Sequence, residues 1–220
     1  MNLEFEGRRP TLNEIGLKHN TDKAHTHFYM DNYEKHFSSW RDREFILLEL
    51  GVAGKASINT WKEYFYNANV WGIDNNPDCA GEGILIGSQI DEEFLDKALA
   101  YIGTPDIIID DASHYWPNTI KTFEYLFPRL APGGLYVVED AHCFYDSTYG
   151  EAPPFGQGMS EVFKFFSSLA CDVDIQGRGM TGNRDYALQV DNSNFAPVPK
   201  YSPILKAMHI YTSLWIFEKA

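Results

Sequence analysis

Five short apolar runs, separated by stretches of helical period and each closed by an acidic residue or a glycine, constrain this chain more than any other feature. Phe45-Ile46-Leu47-Leu48-Glu49-Leu50 reads as a buried strand ending at Gly51. Val70-Trp71-Gly72-Ile73-Asp74 reads as a second strand, and Ile84-Leu85-Ile86 as a short third. Ile107-Ile108-Ile109 is a fourth with Asp110-Asp111 at its end, and Gly134 to Val138 a fifth that ends in Glu139-Asp140. Between them, residues 57–67 carry Ile58, Trp61 and Phe65 at helical spacing behind a cap at Ser57. Asp91-Glu92-Glu93 opens a helix bearing Phe94, Leu95, Ala98 and Leu99, and Pro117 takes the first position of one bearing Ile120, Phe123 and Phe127. Continuous apolar strands alternating with helices predict an α/β fold. Its sheet is Rossmann-like, doubly wound, mostly parallel and covered on both faces. Such sheets bind ligands outside the carboxyl ends of their strands. The acidic residues collect on that rim.

The flanks predict the rest of the organisation. Tyr29, Tyr33, Phe37 and Trp40 recur at helical spacing, which places an amphipathic helix in a cap segment, residues 1–44, with Phe37 and Trp40 docked on the sheet. Residues 45–220 then form one ligand-binding domain. Within it, residues 145–200 are rich in Gly, Pro and Asn, hold one helical stretch from Met159 to Leu169, and suit a lid or substrate loop. His209 to Lys219 reads as C-terminal strand, either single or a tight hairpin. The net charge is −13, which argues against nucleic acid and against an anionic membrane surface. Three scattered cysteines make neither a disulfide framework nor a zinc knuckle, and a cytoplasmic setting fits them. No apolar run approaches the ~18 residues of a spanning helix, and the acidic start, Met1 to Glu6, lacks the order of a signal peptide.

Glu49-Leu50-Gly51-Val52-Ala53-Gly54-Lys55 passes from a strand through a glycine turn into a helix. Glycines there let backbone approach a ligand closely. The spacing is neither that of a dinucleotide fingerprint nor that of a P-loop. Asp74 ends the next strand, where a carboxylate accepts hydrogen bonds from ribose hydroxyls or else caps the turn Asn75-Asn76-Pro77. Together these residues point to an adenosine-containing ligand. Glu49 to Gly54 resembles the first motif of class I S-adenosylmethionine-dependent methyltransferases, with Ala53 in place of the middle glycine, and Gly72-Ile73-Asp74 resembles their second. The resemblance implies a cofactor site at Glu49, Gly51, Gly54, Asp74 and Asp110, with Ser88 and Gln89 where that family meets the adenine.

A second constellation is Asp110-Asp111-Ala112-Ser113-His114 after the fourth strand and Glu139-Asp140 after the fifth. Neighbouring parallel strands lie about 4.8 Å apart, so carboxylates at their ends can converge. Crowded carboxylates repel, and a hard divalent cation such as Mg²⁺, Mn²⁺ or Ca²⁺ removes the penalty. This D-x-x-H then E-D pattern resembles the metal-dependent sugar O-methyltransferases of the mycinamicin and rhamnosyl type and the cephalosporin-hydroxylase-like proteins. The resemblance implies Asp111, Glu139 and Asp140 as ligands of Mg²⁺ or Mn²⁺, and His114 as general base. Asn20-Thr21-Asp22-Lys23 with His27 and Tyr29 resembles that group's G-T-D-K segment, with Asn20 in place of the Gly. Lys23, His27, Tyr29 and Tyr115 are the expected closing residues over substrate or cofactor. The implied activity is methyl transfer to a hydroxyl of a sugar or glycosylated natural product, by a chain that suits homo-oligomer formation. A catechol-type Mg²⁺ enzyme and a nucleotide-dependent oxidoreductase are the alternatives. His142, close behind Glu139-Asp140, either lines the pocket or is a solvated loop histidine, and Cys143 lacks a basic activator for a nucleophilic role.

Overall fold

A computed structural model describes residues 7–146, 148, 161–174 and 200–220. Residues 147, 149–160 and 175–199 of the expected lid lie outside the described residues. The chain divides into two compact units, Met1–Ala112 and Ser113–Ala220.

The first unit opens with α1 (Leu12–Lys18), whose start is fixed by a capping box between Thr11 and Glu14. α2 (Asp22–His25) follows a turn in which Asn20 takes a left-handed φ of 57°, a conformation asparagine tolerates better than most residues. α3 (Met30–Phe37) buries Tyr33 and Phe37 against Trp61, while Trp40 is half-buried and meets Phe45 edge-on. Then come β1 (Phe45–Leu50), α4 (Ala56–Tyr64), β2 (Ala68–Asp74), β3 (Ile84–Ile86), α5 (Glu92–Ile102) and β4 (Ile107–Asp110). The strands lie in the order β3-β2-β1-β4 and pair in parallel, with Leu47 beside both Val70 and Ile107. Two expectations need correction here. The helix of residues 57–67 spans Ala56–Tyr64, with Lys55 as its left-handed N-cap. Ser57 is not the cap, because its hydroxyl donates to Glu49. Asp91 caps α5 by accepting from the Phe94 amide.

The second unit contains α6 (Trp116–Leu126), β5 (Leu135–Val138), α7 (Glu161–Asp174), β6 (Leu205–Tyr211) and β7 (Leu214–Lys219). Pro117 sits one residue inside α6 rather than at its first position, and still needs no amide partner there. The C-terminal segment is a hairpin. β7 runs antiparallel to both β5 and β6, in the order β5-β7-β6. α7 continues five residues beyond the expected Leu169. The core of this unit is aromatic: Phe123 touches Phe127, Tyr136, Phe166 and Phe217 at centroid distances of 4.8–5.3 Å.

Candidate active site

In the first unit, the rim of β1, β2 and β4 carries most of the residues the sequence singles out. Glu49 is fully buried at the end of β1. One of its oxygens accepts from Ser57 Oγ at 2.8 Å and Trp61 Nε1 at 3.2 Å. Lys23 Nζ stands 3.5 Å from the other oxygen and also donates to Asp111 Oδ2. Lys23 is itself 1% exposed, so α2 plants a buried cation between two carboxylates. Burial pushes the Glu49 carboxyl up to about 7, against the lowering influence of Lys23.

The glycine turn after β1 is shaped by its neighbours. Gly51 has φ 83°, and a Cβ there would lie 2.2 Å from the Asp111 carbonyl oxygen. Gly54 is different, since a Cβ there would meet open space. Asp74 performs one of the two tasks foreseen for it, the cap, and adds a tie to the glycine turn. Its Oδ2 accepts from the Val52 and Ala53 amides at 2.9 and 3.2 Å, tying β2 to the glycine turn. Its Oδ1 accepts from the Asn76 amide at 2.8 Å and so caps the following turn. Burial acts to raise this carboxyl, and the three amides outweigh it and hold Asp74 below the ordinary range. Gln89 is buried and donates to Asp110 Oδ1 at 3.2 Å, while the Ser88 hydroxyl turns towards the Ile90 amide. His27 stacks on the buried Tyr29, 5.2 Å away, and the Tyr29 amide is pinned to the Lys23 carbonyl.

In the second unit, Glu139 follows β5 directly and is 4% exposed. Asp140 comes next, in the left-handed region at φ 53°, and caps a short 3₁₀ turn, Ala141–Tyr145. His114 is also left-handed, at φ 50°, and its Nε2 lies 3.5 Å from Asp140 Oδ2. Two non-glycine residues in this sparsely populated conformation thus face each other side chain to side chain. Tyr115 is 45% exposed at the start of α6. One residue escaped the sequence reading, Ser213, the partner of His142. His142 is paired rather than merely solvated: its Nδ1 is 2.6 Å from Ser213 Oγ and 3.9 Å from Asp140 Oδ1. Ser213 lies 71 residues away in the hairpin turn, and no local pattern announces it. Burial, then Asp140 and Asp146, push the Cys143 thiol up to about 11, which removes it as a nucleophile at neutral pH.

No protein-family model matches the chain. It is 38% identical over 147 residues to the 8-demethyl-8-alpha-L-rhamnosyl tetracenomycin-C 2'-O-methyltransferase of Streptomyces olivaceus, which covers 62% of this chain and 39% of that protein. It is 34% identical over 155 residues to the mycinamicin VI 2''-O-methyltransferase of Micromonospora griseorubida, covering 65% of this chain and 39% of that one. The MycE methyltransferase of the mycinamycin biosynthetic pathway, solved with Mg and SAH, matches 97% of this chain and 54% of its own with a TM-score of 0.80 at 26% identity. The fold is therefore that of the class I S-adenosylmethionine-dependent methyltransferases. Within that class the chain is similar to sugar O-methyltransferases of natural-product pathways, and neither the catechol-type nor the oxidoreductase alternative is favoured. It spans only 39% of the length of each of these two curated relatives. Among the described residues, no helix is long and apolar enough to cross a membrane.

Proposed function

We propose that this chain carries an S-adenosylmethionine-dependent, divalent-metal-dependent O-methyltransferase that acts on a sugar hydroxyl of a glycosylated natural product. The observation that carries the reading is the His114–Asp140 pair, two left-handed residues 3.5 Å apart beside the buried Glu139. The names of the relatives support the substrate class. Asp111, Glu139 and Asp140 would hold the ion. These donors fit Mg²⁺ or Mn²⁺, because all are carboxylate oxygens and hard cations prefer them. A bound divalent ion supplies acidity to a hydroxyl oxygen that it coordinates.

The chain's own residues account for the remaining chemistry. In the first unit, the open face at Gly54, the Asp74 carboxylate and the Gln89–Asp110 pair would seat the adenosyl group. Lys23, His27, Tyr29 and Tyr115 would close over cofactor or acceptor. His114 accepts the proton of the acceptor hydroxyl, and Asp140 stabilises the imidazolium that results. The oxygen then attacks the sulfonium methyl in line. The carbon–sulfur bond breaks and S-adenosylhomocysteine leaves neutral, so charge is conserved once the proton rests on His114.

The test is transfer of labelled methyl from S-adenosylmethionine to a panel of glycosylated natural products, with free catechols as controls. Turnover on a glycosylated acceptor that stops with a chelator and returns with Mg²⁺ supports the reading. Turnover on catechols alone, or undiminished turnover in chelator, overturns it.

A further inference from the structure

We infer that Ser213 is a positioning residue for the Asp140 carboxylate, acting from the turn of the β6–β7 hairpin; this inference rests on the metal role proposed for Asp140. The turn closes where Tyr211 pairs with Leu214, and β7 places Trp215 beside Val138, the last residue of β5. Ser213 therefore stands next to the point where the chain leaves β5 and enters Glu139-Asp140. Three contacts join the two turns. The Ser213 carbonyl accepts from the Ala141 amide at 3.0 Å. Its hydroxyl accepts from the His142 amide at 3.1 Å and bonds His142 Nδ1 at 2.6 Å.

These contacts fix both residues after Asp140. The Asp140 carbonyl is itself tied to the Cys143 amide at 2.8 Å. Asp140 is thus locked in a left-handed conformation that an aspartate outside such a clamp visits only as a minority state. Its carboxylate then lies between two imidazoles, with Oδ2 towards His114 and Oδ1 towards His142. Ser213 is left-handed too, at φ 62°. Serine at this position is strained where glycine would be at ease, so its hydroxyl has a use that outweighs the backbone cost. Ser213 acts on Asp140 through Ala141 and His142, and loss of the groups that orient a metal ligand typically costs about 10–100-fold in metal affinity or activity.

The experiment compares wild type with Ser213→Gly and Ser213→Ala. Glycine suits φ 62°, so Ser213→Gly keeps the fold while removing the side chain, and Ser213→Ala removes the hydroxyl alone. Mn²⁺ binding, read by paramagnetic resonance without cofactor or acceptor, is expected to weaken about 10–100-fold in both variants, and kcat to fall while S-adenosylhomocysteine affinity stays unchanged. Wild-type Mn²⁺ affinity and kcat in Ser213→Gly overturn the positioning role alone. A wild-type protein that binds no Mn²⁺ overturns the metal reading and the positioning role with it.

Discussion

At the scale of single residues, the rim of the first unit is dominated by charge held out of water. Lys23 and Glu49 are 1% and 0% exposed, and Lys23 also serves Asp111. Breaking a buried pair from one side strands the other charge, at about 3–5 kcal/mol. Lys23→Met is therefore expected to lower the unfolding free energy read from urea titration by about 3–5 kcal/mol, and Lys23→Met/Glu49→Gln to recover part of the loss. Glu49 also carries a signature in pH. Its folded carboxyl is raised to about 7 from the ordinary 4.5. A raised acid contributes stability that is full below its unfolded pKa and is lost as pH climbs through the folded value. Wild-type stability should fall between about pH 4.5 and 7 through this group, and Glu49→Gln should flatten that slope. Equal slopes in the two proteins, followed by urea unfolding at pH 5 and pH 8, would refute the assignment.

At the scale of elements, the two glycines of the β1–α4 turn do different jobs. Gly51 is dictated by the backbone after β4, because a Cβ would overlap the Asp111 carbonyl and φ is 83°. Gly54 has neither constraint. Gly54→Ala should leave stability within about 0.5 kcal/mol of wild type. It should weaken S-adenosylhomocysteine binding by about tenfold or more, or roughly 1.4 kcal/mol, when titrated calorimetrically. Unchanged affinity would remove Gly54 from the cofactor site. Gly51→Ala is expected to unfold the protein or lower its melting temperature sharply. The parallel strands were legible because runs such as Ile107-Ile108-Ile109 are buried on both faces, so no polar residue interrupts them. Helix ends were less so. Ser57 has a capping residue's chemistry, but the buried Glu49 carboxylate competes for its hydroxyl and prevails. The acidic rim could be read because each carboxylate follows an apolar run directly. The pairing of His142 with Ser213 could not, since it is made by a hairpin returning across 71 residues.

At the scale of the whole molecule, the three cysteines separate reactivity from position in the fold. Cys79 belongs to the first unit and Cys143 to the second, and both are buried, whereas Cys171 on α7 is exposed. Burial and the nearby Asp140 and Asp146 hold Cys143 near 11, three or more units above neutral pH, so its thiolate fraction is negligible there. Its nearness to His142, 3.7 Å from Sγ to Nε2, does not offset this. An aromatic disulfide reagent at pH 8 should therefore modify one thiol quickly, Cys171, and the other two only when urea opens the units that enclose them. Cys171→Ser should abolish the fast phase and leave methyl transfer unchanged. Rapid labelling of Cys143 in the native protein, with loss of activity, would return that residue to the chemistry of the rim and undo the assignment of proton transfer to His114 alone.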